Sequence, residues 1–402
     1  MESPQRFPLR GCPVCGCEQS TLLFQQSFDQ LSGAHLLSGY DVVICRECGA
    51  GFAENLPGQS VFDEYYRDLS KYDTADRSGE QKPGAADRHQ KVADSIVPFL
   101  PDASCRILEI GCGSGELLKV LKDRGFQNVL GVDPSPGCIQ TAQSLYDIPG
   151  IAATVLTVPQ PELPYDVLIL IGVMEHIRDL DPAVERLKNL VADTGRIYLE
   201  VPDASQYVPN LDAPFQEFSI EHITFFSIRS LTNLMQQRGF RAVAGGHAVR
   251  NQNEVTCPCT FAVFEKSSEP LPIERDMQTE AGLLHYIQGC QAEDVRIRKT
   301  IESAVVPGEQ MIVWGVGTHT LRLLATQGLD PASVALFVDS SVKYQGQELR
   351  GVPVVSPEAL RERQEPILIS SRGFQNEIYH QIRNTMGLSN PVIMLYNETI
   401  PR

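Results

Sequence analysis

"ILEIGCGSGELLKVL" (residues 107–121) passes from an apolar run, through three glycines spaced two apart, into an amphipathic run. It reads as a β-strand, a tight turn and the opening of a helix. Gly111, Gly113 and Gly115 let the backbone approach a ligand closely, and a helix N-terminus offers N–H groups with no partner inside the helix. Taken alone, such a turn fits NAD, FAD or a plain strand-to-helix connection. Two neighbours narrow the choice. Glu109 stands two residues before Gly111, and Asp133 ends the next apolar run, "NVLGVD" (128–133), where a carboxylate can take a ribose diol.

Further apolar runs follow at "GIAATVL" (150–156), "DVLILIG" (166–172) and "GRIYLEVP" (195–202), with helical patterns at 115–124, 137–146, 182–191 and 229–238. Near-continuous apolar strands alternating with helices predict a doubly wound α/β fold, a parallel sheet covered on both faces. "CTFAVFEK" (259–266) is expected to close that sheet as an antiparallel edge strand. "EKSSEPLPIERDMQTE" (265–280) reads as a linker entering a helix at about 275–303. Beyond it, "MIVWGVGTH" (311–319) and "VALFVD" (334–339) repeat the theme, with Gly315 24 residues before Asp339 as Gly111 is 22 before Asp133. An internal duplication and two unrelated units of common fold both account for this. Either way a second Rossmann-like unit is expected.

Five of the eleven cysteines fall within residues 1–75. Cys12-Pro-Val-Cys15 and Cys45-Arg-Glu-Cys48 form two C-x-x-C knuckles, and Gly16 and Gly49 after them allow the tight turns. Four thiolates suit a tetrahedral Zn2+ whose closed shell leaves no position for substrate, so the metal is expected to be structural. Residues 21–44 fit as a hairpin inserted between the knuckles, and Cys17 is a spare. The predicted organisation is a zinc-binding module at 1–75, an α/β domain at 76–266 and a Rossmann-like domain at 267–402.

The chain has 402 residues and a formal net charge of −16, which argues against a partner with a phosphate backbone or an anionic membrane surface. The most continuous apolar run, "VLILIGVM" (167–174), is too short to span a bilayer, and "MESPQRFPLR" (1–10) lacks the apolar stretch of a signal peptide. The expectation is a cytoplasmic protein acting on a small molecule, with cysteines used as metal ligands or buried thiols rather than disulfides. Oligomeric state is not legible in the sequence.

The glycine turn, Glu109, Asp133 and "GVMEHIRD" (172–179) after the fourth strand together resemble the class I S-adenosylmethionine-dependent methyltransferases, over about residues 100–266. The resemblance implies that Gly111, Gly113 and Gly115 wrap the methionine part of the cofactor, with Asp133 on the ribose and Glu109 in the same set. The whole layout resembles a narrower family, the sugar C-methyltransferases that act on keto-deoxysugar nucleotides. These carry a four-cysteine zinc module, a central methyltransferase domain and a C-terminal Rossmann-like domain. Their Tyr-x-Glu-His motif, followed by an aromatic-Phe-Ser segment, matches "SIEHITFFS" (219–227). The match implies that His222 is a general base oriented by Glu221 and that His176, in "MEHI", is a second active-site histidine. It also makes Tyr66 the best match to a further active-site tyrosine, with Tyr65 and Tyr72 in competition. Two departures stand out: Ser219 replaces the motif tyrosine, and His319 lies where the family's C-terminal turn carries a lysine.

Carbon methylation explains why such groups are needed. A carbon beside a ketone becomes a nucleophile only after losing a proton that is many pKa units weaker than imidazolium, and each unit is worth about 1.4 kcal/mol. A base must therefore act together with a donor aimed at the developing enolate oxygen. Methylation of O or N on a sugar or other small metabolite needs only a simple base, and Ser219 keeps that alternative open. The plainest alternative for Glu221 and His222 is a hydrogen-bonded cluster at a domain boundary.

Overall fold

The computed structural model describes residues 7, 9–31, 37–68, 85–209, 212–252, 255–269, 271–304 and 308–396. The insertion between the cysteine knuckles is an antiparallel hairpin, β1 (Ser20–Ser27) and β2 (Gly39–Cys45), and β3 (Gly51–Glu54) pairs with β2 after the second knuckle. Helix α1 (Gln59–Asp68) follows and carries Tyr65 and Tyr66. The expected module boundary at 75/76 and Tyr72 lie outside the described residues.

Helix α2 (Ala85–Ile96) leads into the central sheet, where β4 (Ile107–Ile110), helix α3 (Glu116–Asp123), β5 (Val129–Asp133), helix α4 (Pro136–Tyr146), β6 (Gly150–Ala152), β7 (Tyr165–Ile171), helix α5 (Leu180–Leu190) and β8 (Val191–Pro202) alternate. All four residues of β4 are buried, as a strand covered on both faces requires. Strand β6 is shorter than the expected 150–156. The Thr154 amide donates to Thr157 Oγ1 at 2.9 Å, so these hydroxyl residues turn the chain away from the ladder.

The dipeptide strand β9 (Thr224–Phe225) leaves the central unit and pairs with β3, completing a four-stranded first sheet. After helix α6 (Ile228–Gln236), β10 (Phe240–Gln252) and β11 (Val255–Lys266) add antiparallel strands, giving the order β10-β11-β8-β7-β4-β5-β6. Strand β11 is antiparallel to β8, as expected of 259–266, but it is not the edge: β10 covers it. Glycines and charged residues in β10 hide its strand character from a periodicity reading.

Helix α7 (Thr279–Ala304) precedes the third sheet, formed by β12 (Met311–Trp314), β13 (Val334–Val338), β14 (Glu348–Leu349), β15 (Val352–Val355), β16 (Ile367–Ile369) and β17 (Val392–Met394), with helix α8 (Thr318–Ala325) after β12 and helix α9 (Gln375–His380) after β16. Its order is β14-β15-β13-β12-β16-β17, parallel except for β14. Both large sheets reverse direction beside their first strand, between β4 and β7 and between β12 and β16. The likeness reaches single hydrogen bonds. Asp133 accepts the Gly113 amide at 3.0 Å and the Ser135 amide at 2.9 Å, while Asp339 accepts the Val316 amide at 2.9 Å and the Ser341 amide at 2.8 Å.

Candidate active site

The glycine turn sits where β4 and β7 part, the crevice in which open α/β sheets hold ligands. Gly111 has φ +77°, and a Cβ there would lie 2.4 Å from Val173 Cγ2, so only glycine lets the turn pass under the segment after β7. Gly115 caps α3 in the left-handed region. Asp133 braces the turn from β5 through the Gly113 amide. Glu109 is buried in β4, and its Oε2 has no hydrogen-bond partner among the described residues. Burial first, then the charges of Glu116 and Asp133, push its carboxyl well above the usual carboxylate range.

The phenylalanines around the Glu-His pair explain its setting. Phe215, Phe218 and Phe225 turn inward, where Phe24 stacks on Phe215 with centroids 4.5 Å apart and Tyr286 meets Phe218 at 5.2 Å. Full burial of one such ring is worth about 1.5–3 kcal/mol, so the cluster anchors the loop while His222 keeps 21% of its side chain exposed. The loop is also held from the first sheet. Gln26 Nε2 donates to the Phe218 carbonyl at 2.8 Å and the Tyr40 hydroxyl to the Ser219 carbonyl at 2.8 Å. Arg10 donates to the carbonyls of Ala53, Arg178 and Ile223 at 2.9, 2.8 and 2.7 Å.

Ser219, which replaces a tyrosine of the family motif, has a local use. Its Oγ accepts the amides of Glu221 at 3.3 Å and His222 at 3.2 Å, a hydroxyl-capped turn that a phenol is too long to make.

His176 ends the short helical turn after β7, and its ring centroid is 5.0 Å from that of His222. Its Nδ1 lies 2.9 Å from the Tyr66 hydroxyl and 3.0 Å from the Glu221 carbonyl. Tyr65 donates to Glu221 Oε1 at 2.9 Å. Thus Tyr66, His176, Glu221 and His222 converge, although they come from three separate segments. Two residues not singled out for the site, Glu217 and Glu175, join them, together with Tyr65, the competitor of Tyr66. Glu217 Oε2 stands 3.9 Å from His222 Nδ1, Glu175 Oε1 stands 3.9 Å from His176 Nε2, and Tyr65 grips Glu221. Burial, reinforced by Asp212, pushes Glu217 up to about 7. Burial pushes Glu175 up to about 8, partly opposed by its own amide. Tyr65 and Glu175 adjoin predicted residues in the sequence, whereas Glu217 sits on a loop with no periodicity to betray it. His319 belongs to the third sheet, buried in the first turn of α8.

Cys12 Sγ and Cys48 Sγ are 3.6 Å apart, Cys15 Sγ and Cys45 Sγ 3.5 Å, and all four lie within 4.8 Å of one another. A tetrahedral ion with bonds of about 2.3 Å needs S···S separations near 3.8 Å, so these thiols could hold a metal. Cys17 stands apart, donating to the Gln19 carbonyl. No helix among the described residues is long and apolar enough to cross a membrane.

Comparison with known proteins finds matches in two regions of the chain. A family model described as a methyltransferase domain matches residues 85–244, and one described as C2185-like, N-terminal matches residues 308–394. The C-methyltransferase NovU of Streptomyces niveus is 25% identical over 385 residues, covering 87% of this chain and 86% of that protein. A ubiquinone biosynthesis O-methyltransferase of Azorhizobium caulinodans is 35% identical over 100 residues, 24% of this chain and 39% of that one. Among solved structures, the PH0226 protein of Pyrococcus horikoshii OT3 aligns with 51% of this chain and 99% of its own at 18% identity and a TM-score of 0.40.

Proposed function

Taking the chain as a methyltransferase dependent on S-adenosylmethionine, we propose that it methylates carbon next to the ketone of a nucleotide-linked deoxysugar. The observation that carries this reading is the likeness to a C-methyltransferase across 87% of the chain, rather than across the cofactor domain alone.

In this reading Gly111, Gly113 and Gly115 with Asp133 and Glu109 hold the cofactor, and the chain divides into three parts at 75/76 and 266/267. The bound cofactor supplies a methyl group on a sulfonium, a leaving group already activated. The protein's own part is to make carbon nucleophilic. His222 takes the proton from the carbon beside the ketone, with Glu221 and Glu217 as the carboxylates that orient and charge-balance its ring. Tyr66, or His176 when protonated on both ring nitrogens, donates to the oxygen on which negative charge grows. Phe218 and its neighbours keep bulk water from one side, which strengthens both interactions. Cys12, Cys15, Cys45 and Cys48 hold Zn2+ as a structural ion that fixes β3, and β3 in turn holds β9 two residues beyond His222.

The test is mass-spectrometric product analysis over a panel of keto-sugar nucleotides. The reading expects a new methyl on carbon adjacent to the ketone. A methyl found only on oxygen or nitrogen, with active substrates in the panel, refutes it.

A further inference from the structure

We propose that Glu175, His176 and His222 form a second metal site that takes a borderline divalent transition ion such as Zn2+, Co2+ or Ni2+. One donor atom from each residue lies within 4.8 Å of the others, and Glu175 Oε1 is 3.9 Å from His176 Nε2. Bonds of about 2.0–2.2 Å to such ions put neighbouring donors about 3–3.5 Å apart, so the three side chains need to close by about 1 Å.

Three further observations favour an ion over an accidental cluster. First, the Glu221 carbonyl near His176 Nδ1 can only accept, so a ring proton on Nδ1, shared with the Tyr66 hydroxyl oxygen at 2.9 Å, leaves the Nε2 lone pair facing Glu175. A histidine whose other nitrogen donates to a backbone carbonyl is the usual preparation of an imidazole for a metal. Second, Glu175 is 3% exposed, yet its Oε2 has no hydrogen-bond partner among the described residues. A buried carboxyl oxygen left so carries a desolvation cost that coordination of a cation would remove. Third, the donor set selects the ion. Two imidazoles and one carboxylate suit Zn2+, Co2+ and Ni2+, while Mg2+ and Ca2+ prefer oxygen.

The site differs from the cysteine cluster in ligands and in openness. Three protein ligands leave at least one coordination position unfilled, whereas four thiolates leave none. The consequence for turnover rests on the proton-transfer reading above: a lone pair on the metal cannot also take a proton. Occupancy of this site and base action by His222 therefore exclude one another.

The experiment titrates Co2+ into the full-length protein after its cysteine cluster has been filled with Zn2+, following visible absorption and, in parallel, deuterium exchange into a keto-sugar nucleotide without methyl donor. A second Co2+ spectrum without sulfur-to-metal charge transfer is expected, at least about tenfold weaker in binding for Glu175→Gln and for His176→Asn. Exchange should fall along the same binding curve. Absence of that spectrum, or its persistence unchanged in Glu175→Gln with the fold intact by circular dichroism, overturns the site. A rise of exchange with occupancy overturns the exclusion. A protein that binds Co2+ as described but never exchanges deuterium supports the site and counts against the proton-transfer reading alone.

Discussion

Ser219→Ala isolates the turn that aims the proposed base. The hydroxyl accepts two successive amides, Glu221 at 3.3 Å and His222 at 3.2 Å, and the alanine keeps everything else, including the Tyr40 bond to the residue 219 carbonyl. A net intramolecular hydrogen bond is worth about 0.5–1.5 kcal/mol, and bonds this long belong in the lower half of that range, so the pair contributes about 1–2 kcal/mol. If that energy serves to hold His222 in line, its loss appears as a drop in kcat of about 5–30-fold, at about 1.4 kcal/mol per tenfold. KM should change little, because the hydroxyl is spent on the backbone. The assay is single-turnover methyl transfer, with Ser219→Thr as the variant that keeps the hydroxyl. Wild-type kcat in Ser219→Ala, or equal damage in both variants, would refute the claim that the hydroxyl sets the turn.

Three other outcomes are expected. Glu217→Gln removes the carboxylate 3.9 Å from His222 and should lower kcat by about 2–5-fold with KM unchanged, as for a partly exposed pair worth about 0.5–1 kcal/mol; steady-state kinetics decides. Cys48→Ser should cost both bound zinc, read by elemental analysis, and methyl transfer, while the binding of S-adenosylhomocysteine measured by calorimetry persists. Burial, with Arg322 nearby, holds the His319 imidazole down to about 3, so the folded protein keeps it neutral while the unfolded chain binds a proton below about 6.5. Stability should therefore fall as pH drops from about 6.5 towards 3, by at most about 5 kcal/mol, and His319→Leu should flatten that fall; urea unfolding followed at Trp314, the single tryptophan, reads the same sheet.

The parts of the fold legible in the sequence are those written in local chemistry. The strand, glycine turn and helix at 107–121 fall where periodicity and the glycines put them, and Asp339 repeats the bracing of Asp133 across the second unit. The cysteine knuckles were equally plain, because C-x-x-C spacing and a following glycine are a local rule. What was not legible depends on contacts far apart in the chain. Strand β10 carries little apolar alternation and exists because β11 offers it a ladder. The partners of His222 belong to the same class. Glu221 adjoins it in sequence, but where each carboxylate points is decided by Tyr65 on α1 and by a loop pinned from Gln26 and Tyr40. Adjacent residues on an irregular segment need not face each other, and no period exists there to say which do.

That dependence says why a cysteine cluster should matter to chemistry it does not touch. His176 is carried by the turn after β7, and His222 by a loop whose next strand, β9, belongs to the first sheet. The two rings stand 5.0 Å apart only while the two sheets keep their register. Among the contacts that maintain it are the β3–β9 ladder, the Gln26 and Tyr40 bonds to the Phe218 and Ser219 carbonyls, the Arg10 clamp on Ala53, Arg178 and Ile223, and the Asp276 amide on the Cys48 carbonyl at 2.8 Å. Most of those carbonyls and the ladder lie within a few residues of a knuckle or of an imidazole. The first sheet shares its apolar core with the phenylalanines of that loop, and a tetrahedral ion held by the knuckles would add bonds at its end. Loss of the ion should therefore be felt first as a change in the His176–His222 separation, and in proton transfer, well before the central sheet and its glycine turn give way.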